Sequence, residues 1–260
     1  MGEGILAALL RSGVYSPQDI RAYEILEERR EYITRTYQVE CLIDIKKVLE
    51  SADICLIAVK PGDVPKVMEE ISPFMDSQKL LISIAAGVPL DFYRKHLPKN
   101  VPVMRVMPNI AVQVRESMIT FCVSDNINDE KMKGATEMLS LLGRVMRLDE
   151  KYLNLATGLV GSGPAYIYLI IDALADAGVR TGLPKDISIF LAAQTTLGAA
   201  KMVIETGKHP AELKDKVVTP AGTTIEGLLE LERSGLKAVI MTAVTKATER
   251  ARELAPQNQS

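Results

Sequence analysis

The sequence predicts an α/β fold in two parts, a mostly parallel sheet domain over residues 1–148 and an all-α domain over residues 149–260. Three observations carry this reading. A chain of 260 residues is of the length at which single cores split into two domains. Helical patterns alternate with short β-branched runs up to about residue 148, which is the pattern of βαβ units. Beyond about residue 150 the β signal stops and long apolar helices replace it.

In the first part, Ile20 to Tyr23 reads as a strand followed by Glu24. A helix ends at Val48 to Ala52, and the run Asp53 to Val59 is a buried strand that Lys60-Pro61 breaks at its carboxyl end. Leu80 to Ile84, Val101 to Val106 and Met118 to Val123 read as further buried strands. Ligands in open α/β sheets bind at the carboxyl edge. In the second part, Pro164 is placed as a first helical residue and Gly178 as a C-terminal stop, bracketing Ala165 to Ala177. A second helix is expected over Asp186 to Thr206, between Pro184 and Gly207. Both are apolar on every face, too much so for one buried stripe, and such helices in a short half-chain need another subunit to cover them.

Composition narrows the function classes. Apolar residues make up 47% and charged residues 25%, with 31 basic against 33 acidic side chains, so no strong field points to nucleic acid or a membrane surface. Cys41, Cys55 and Cys122 lie far apart, which suggests neither a zinc site nor a disulfide framework and fits a reducing cytoplasm. The longest apolar stretch, Ile167 to Leu174, is too short to span a bilayer and contains Asp172. No signal peptide is expected at the start, and the end, Pro256 to Ser260, reads as a polar tail.

The most informative segment is Lys216 to Glu232, KVVTPAGTTIEGLLELE. Thr219 and Pro220 enter a turn, Ala221 and Gly222 keep the backbone bare, and Thr223 and Thr224 open a helix. Free amides at such a start, aided by the helix dipole, suit a carboxylate. The alternative is plain capping, with threonine satisfying its own backbone, and capping threonines outnumber ligand-binding ones. In TGLVGSGPAY, Thr157 to Tyr166, the glycines permit either ligand approach or close helix packing. Ala58 to Pro61 (AVKP) and Ser83 to Gly87 (SIAAG) end strands with small residues, as a bound dinucleotide would need. Lys60 could reach a phosphate or simply stand in water. His96 and His209 are expected in loops, solvated or structural.

In order and spacing, AVKP, SIAAG, MPN (Met107 to Asn109), TGLVGSGPAY and TPAGTT resemble the pyrroline-5-carboxylate reductase family, from Gly2 to about Ala255. The block PAGTTIEGLLELE with HPAELKDKV upstream of it makes the resemblance specific. It implies a Rossmann-like parallel sheet domain followed by an all-α dimerisation domain interlocked with a partner subunit. It further implies a homodimer at least, often a pentamer of dimers, in the cytoplasm, with no nucleic-acid or membrane partner. The implied reaction is hydride transfer from NADP or NAD in reduced form to a small cyclic imine, giving L-proline. By the same carry-over, Thr224 is the catalytic hydrogen-bond partner of the imine nitrogen. Thr219, Gly222, Thr223 and Thr224 hold the substrate carboxylate, and Glu150 lies near the substrate. Gly2, Ala58, Val59, Lys60, Pro61, Ile84, Ala85 and Ala86 contact the cofactor. Such a reduction needs orientation and a proton on nitrogen, with no metal and no covalent nucleophile.

Several departures qualify the resemblance. A dinucleotide fold opens with a strand and GxGxxG, whereas this chain begins MGEGILAALL, which matches only the end of that loop from Met1 and Gly2. Losing a central strand would remove about ten ladder bonds of roughly 1 kcal/mol each, against a total stability of about 5 to 15 kcal/mol. The expectation is therefore a non-native start or a damaged copy with poor cofactor binding. Asn109-Ile110-Ala111 replaces the usual NTP, Ala221 replaces a glycine, Val218 a small or hydroxyl residue, and Ile45 sits where many members use Asn. Glu24 favours NADH by repelling a 2′-phosphate; Arg29 and Arg30 could offset it but read as solvated, and many relatives prefer NADPH, so both cofactors stay open. Two other readings compete, a different imine or hydroxyacid reductase and a non-catalytic oligomeric scaffold. The absence of lysine from Gly161 to Ile171 counts against an alcohol substrate.

Overall fold

The computed structural model describes residues 1–253; the polar tail from Pro256 lies outside the described residues. The chain forms two compact units, residues 1–162 joined by the stretch from Lys246, and residues 163–245. The first runs α1 (Gly2–Arg11), β1 (Arg21–Tyr23), α2 (Glu27–Tyr37), β2 (Glu40–Leu42), α3 (Ile45–Leu49), β3 (Ile54–Ile57), α4 (Val64–Ile71), β4 (Leu80–Ser83), α5 (Leu90–His96), β5 (Val103–Met107), β6 (Ser117–Val123), α6 (Asp129–Ser140), β7 (Gly143–Arg147) and α7 (Glu150–Ala156).

Strands β3-β4-β5-β6-β7 form one sheet in that order, and β1 and β2 form a separate parallel pair. All neighbours run parallel except β5 and β6, which pair Arg105 with Cys122 and Met107 with Thr120 in antiparallel register. Both faces of the five-stranded sheet are covered, so β4 and β5 are apolar at nearly every position rather than at every second one. Leu80, Ile82, Met104 and Val106 point to the side that also holds Ile5 and Ala8 of α1 and Met138 and Leu139 of α6. Leu81, Val103 and Met107 point to the other, packed with Met68 of α4, Tyr93 of α5 and Leu153 of α7.

The expected strands are present with shifted ends. β3 and β4 stop at Ile57 and Ser83, two residues and one residue early, and β5 spans Val103–Met107 rather than Val101 to Val106. The strand β7 went unforeseen because GRVMR is an edge strand with Arg144 and Arg147 exposed, and it carries little β-branched signal. It starts at Gly143, whose φ of +148° and contact with Ser117 leave no room for a side chain.

The second unit holds α8 (Gly163–Arg180), α9 (Lys185–Thr206), α10 (Pro210–Val217), α11 (Thr223–Arg233) and the first part of α12 (Leu236–Glu253). The expected stop at Gly178 is corrected. The helix runs on to Arg180, and Gly178 instead marks the closest approach of α9, where an added Cβ would lie 2.6 Å from the Ser188 Oγ. Lys185 at the start of α9 ties back to Asp172 and Asp176 of α8. The outward surface is apolar over long stretches, with Tyr168, Leu169, Phe190, Leu197, Val239 and Met241 all exposed. The apolar stretch Ile167 to Leu174 lies within a longer helical run. Residues Glu150–Arg180 and Lys185–Thr206 are each long and apolar enough to span a bilayer by length and composition alone.

Gly178→Ala is expected to cost about 1 to 3 kcal/mol by overpacking the α8–α9 contact. Thermal unfolding should show a lowered Tm that a compensating Ser188→Ala substitution recovers in part.

Candidate active site

Because β3 and β4 are parallel neighbours with Ile57 opposite Ser83, the loops that follow them leave the same edge side by side. The Ile84 amide donates to the Ile57 carbonyl at 3.1 Å. Ala58, Val59 and Lys60 are exposed and Pro61 half-buried, while after β4 Ile84 is half-buried, Ala86 exposed and Ala85 buried against the core. Gly87 turns that loop at φ +79°. The first turn of α1 meets the same edge: a Cβ on Gly2 would stand 2.9 Å from that of Ala58. No side chain caps α1, so its first amides are free. Bare backbone, free amides and small residues at one carboxyl edge fit a dinucleotide diphosphate. Gly2, Ala58 and the loop from Ile84 are thus brought together, whereas the side chain of Ala85 faces away.

Glu3 holds this turn in place, accepting from Arg29 at 2.8 Å and from the Tyr37 hydroxyl at 2.9 Å. The Arg29 guanidinium keeps the Glu3 carboxyl below its ordinary range, and burial together with Glu3 pushes Tyr37 up to about 12. Arg29, expected as a solvated side chain, stays partly exposed while it pairs with Glu3, and it also lies over the Tyr32 ring. Arg30 donates to the Glu24 and Ile25 carbonyls. The Glu24 carboxylate is half-buried, accepts from the Leu26 amide at 3.1 Å and forms no ion pair among the described residues.

Two residues tie the sheet to the segment after it. Asn109 is buried; its Oδ1 accepts from the Ala111 amide and the Ser117 hydroxyl, and its Nδ2 donates to the Val160 carbonyl at 3.1 Å. Val160 lies in a π-helical turn, Thr157–Gly161, that joins α7 to α8, so the glycines of TGLVGSG widen a helix rather than form a loop. Glu150, the first residue of α7, accepts from the Leu90 amide at 2.7 Å and pairs with Arg105, a side chain sequence reasoning missed. Its only signal was an arginine inside the apolar run VMRVM, and that arginine is 2% exposed. His96 ends α5, bonded to the Phe92 carbonyl and stacked on its ring, and His209 caps α10; both roles are structural. Among the described residues no cluster of His, Cys, Asp and Glu could hold a metal.

In the second unit, the Gly222 amide closes a turn onto the Thr219 carbonyl at 3.0 Å, and Gly222 becomes the N-cap of α11 with no side chain capping it. Plain capping by threonine is thus not what the segment does. The hydroxyls of Thr219, Thr223 and Thr224 have no hydrogen-bond partner among the described residues, and Thr224 is half-buried. An added Cβ on Gly222 would fall 2.2 Å from the Thr219 Oγ1, so only glycine lets that hydroxyl lie against the helix start. Ala221 sits at φ +54°, in the left-handed region.

A doubly wound sheet with a dinucleotide-fitting edge, followed by a helical unit whose apolar faces lack partners, defines a two-domain nicotinamide-dependent oxidoreductase. Comparison with known proteins agrees. Residues 1–87 match the family model of NADP oxidoreductase, coenzyme F420-dependent, and residues 150–254 that of pyrroline-5-carboxylate reductase dimerisation. Pyrroline-5-carboxylate reductases of Methanosarcina acetivorans and Glycine max are each 40% identical over 98% of the chain, covering 94% and 92% of their own lengths. The solved pyrroline-5-carboxylate reductase of Coxiella burnetii superposes with a TM-score of 0.89 at 30% identity, over 99% of this chain and 96% of that one. The Plasmodium falciparum pyrroline carboxylate reductase with NADP bound gives 0.88 at 29%, over 98% and 94%. The chain belongs to the pyrroline-5-carboxylate reductase family, is an oxidoreductase with NADP or NAD as its nicotinamide cofactor, and carries a dimerisation domain at its C-terminal side.

Ala221→Gly is expected to relieve the left-handed strain and stabilise the protein by up to about 1 kcal/mol, net of the glycine's larger unfolded-state entropy. The check is a raised Tm; an unchanged or lowered Tm would show that the turn tolerates alanine without strain.

Proposed function

We propose that this protein reduces the C=N bond of 1-pyrroline-5-carboxylate to give L-proline in the cytoplasm. The observation that carries the reading is the uncapped start of α11, where free amides follow a Thr219 hydroxyl that lies against Gly222, and Thr219, Thr223 and Thr224 have no hydroxyl hydrogen bond among the described residues. The amides of Gly222, Thr223 and Thr224 and the hydroxyl of Thr219 bind the substrate carboxylate. The Thr224 hydroxyl bonds the ring nitrogen and holds the imine in one orientation. Gly2, the stretch Ala58 to Pro61 and the loop Ile84 to Ala86 hold the dinucleotide, which supplies hydride to the imine carbon when bound. Lys60 is exposed and free to reach a phosphate. Glu150, committed to Leu90 and Arg105, serves the site by holding it in shape rather than by meeting the imine.

The experiment is an assay of pyrroline-5-carboxylate reduction with NADH and with NADPH. Wild type should consume the nicotinamide only when the imine is present, and Thr224→Ala should lower kcat/KM on the order of 10- to 100-fold while leaving the fold intact. A folded Thr224→Ala protein with full kcat/KM would remove Thr224 from the mechanism. A folded wild type inert with both cofactors would favour the scaffold reading.

The assembly we propose is a homodimer at least, with a pentamer of dimers as the higher state, built on the apolar faces of α8, α9, α11 and α12. The Asp172 and Asp176 pairing with Lys185 and the match to a dimerisation family model support burial against protein rather than lipid. Light scattering in detergent-free buffer should return at least twice the 28.5 kDa of one chain. A monomer, or a protein extracted only by detergent, would contradict it.

A further inference from the structure

We infer that Arg105 is a positioning residue for the dinucleotide, fixing through Glu150 the loop between β4 and α5; the inference rests on the reading of Ile84 to Ala86 as a cofactor loop. Arg105 lies in the middle of the sheet, opposite Ser83 of β4 on one side and Cys122 of β6 on the other. A guanidinium that is 2% exposed is costly unless its donors are taken up. Two of those donors go to α7, where one Nη pairs with Glu150 and the other reaches the Asn154 Oδ1 at 3.3 Å, while the Nε is buried without a partner among the described residues. The Glu150 oxygen that receives Arg105 also accepts the amide of Leu90 at 2.7 Å.

Leu90 is the first residue of α5, so this bond anchors the far end of the loop. The near end has its own anchor. The buried Ser83 hydroxyl shares a hydrogen with the Tyr93 hydroxyl at 2.6 Å and accepts the Ala85 amide at 3.3 Å. Between the two anchors the chain passes through Gly87 at φ +79°, a point where the backbone could otherwise swing. The loop is therefore held at both ends, and the second hold runs through the same Glu150 oxygen that Arg105 pairs with.

Stability alone does not account for the pair. Only Arg105 of the pair is buried, and even a fully buried ion pair can often be replaced by apolar residues of similar volume with no loss of stability. What apolar residues cannot do is accept the Leu90 amide. The same α7 runs into the π-helical turn that Asn109 holds through Val160, so the strand end and the loop are set by one connected group of side chains.

The test uses the whole protein with NADPH and NADH as probes, without the imine. Dissociation constants come from fluorescence titration, Tm from thermal unfolding, and hydrogen exchange is followed in peptides covering residues 84–90. Glu150→Ala should weaken dinucleotide binding by about tenfold or more and speed exchange across that loop. Glu150→Gln, which keeps an acceptor for Leu90, should recover most of the affinity. The double variant Arg105→Met, Glu150→Met should hold its Tm near that of wild type yet bind as weakly as Glu150→Ala. If a stable double variant binds like wild type, or exchange over 84–90 is unchanged in Glu150→Ala, the positioning role is overturned. Should the double variant not fold, the contrast between Glu150→Ala and Glu150→Gln decides alone, equal affinities counting against the role. A folded wild type that binds neither dinucleotide overturns the cofactor reading itself, an outcome distinct from tight binding by wild type and variants alike.

Discussion

Parallel strands cannot be joined by tight turns, and that constraint determines where chemistry can take place in this protein. Each crossover from β3 to β4 and from β4 to β5 must return over a face of the sheet, which puts α4 and α5 on one side and leaves β3, β4 and β5 to end on the same edge. The loops after Ile57 and Ser83 are neighbours because their strands are neighbours. Gly2 joins them because α1 packs its Ile5 and Ala8 on the opposite face of the same sheet. The small residues of AVKP and SIAAG then follow: at an edge where even a methyl on the helix start would stand 2.9 Å from the Ala58 Cβ, larger side chains would fill the space a ligand needs.

How much of this could be read from sequence depended on whether the signal was local. Strands buried on both faces announce themselves by continuous β-branched runs, so β3 to β6 were legible to within two residues. β7 was not, since an edge strand lined with Arg144 and Arg147 has the composition of a loop. Gly178 was misread for a related reason. A glycine near the end of an apolar run looks the same whether it stops a helix or admits another one, and only Ser188, ten residues on, decides between them. The site motifs were legible as residue types and the family resemblance assigned them roles, but Arg105 and Asn109 were not seen as a network. Their partners Glu150 and Val160 lie 45 and 51 residues away, beyond any local pattern.

The apolar helices present a different ambiguity. By length and hydropathy, residues 150–180 and 185–206 meet the requirement for crossing a bilayer, and composition alone cannot say whether lipid or protein covers them. Charge placement argues for protein. Asp172 and Asp176 fall one turn apart on α8 and are both engaged by Lys185, an arrangement that is cheap beside water or a polar interface and expensive in hydrocarbon. The exposed Phe190, Leu191 and Leu197 of α9 lie within the stretch that matches a dimerisation family model.

The two helix starts singled out by the chemistry lack a side-chain cap, as do those of α2, α4, α5, α7 and α9; what sets these two apart is the bare glycine at each start. Neither α1 nor α11 carries a side-chain cap, although Thr223 and Thr224 are available to the latter. Leaving a cap unmade costs on the order of 1 kcal/mol per helix. At α11 the left-handed backbone of Ala221 adds strain on top of it. A sequence under selection for stability alone would close both ends, and at α11 a single serine or aspartate in place of Gly222 would suffice. That position holds glycine, and the reason is steric as well as electrostatic. Any Cβ there meets the Thr219 hydroxyl at 2.2 Å, so the same substitution that would cap the helix would also displace the Thr219 hydroxyl from beside it. An open start bare of side chains is what a diphosphate at α1 and a carboxylate at α11 would require.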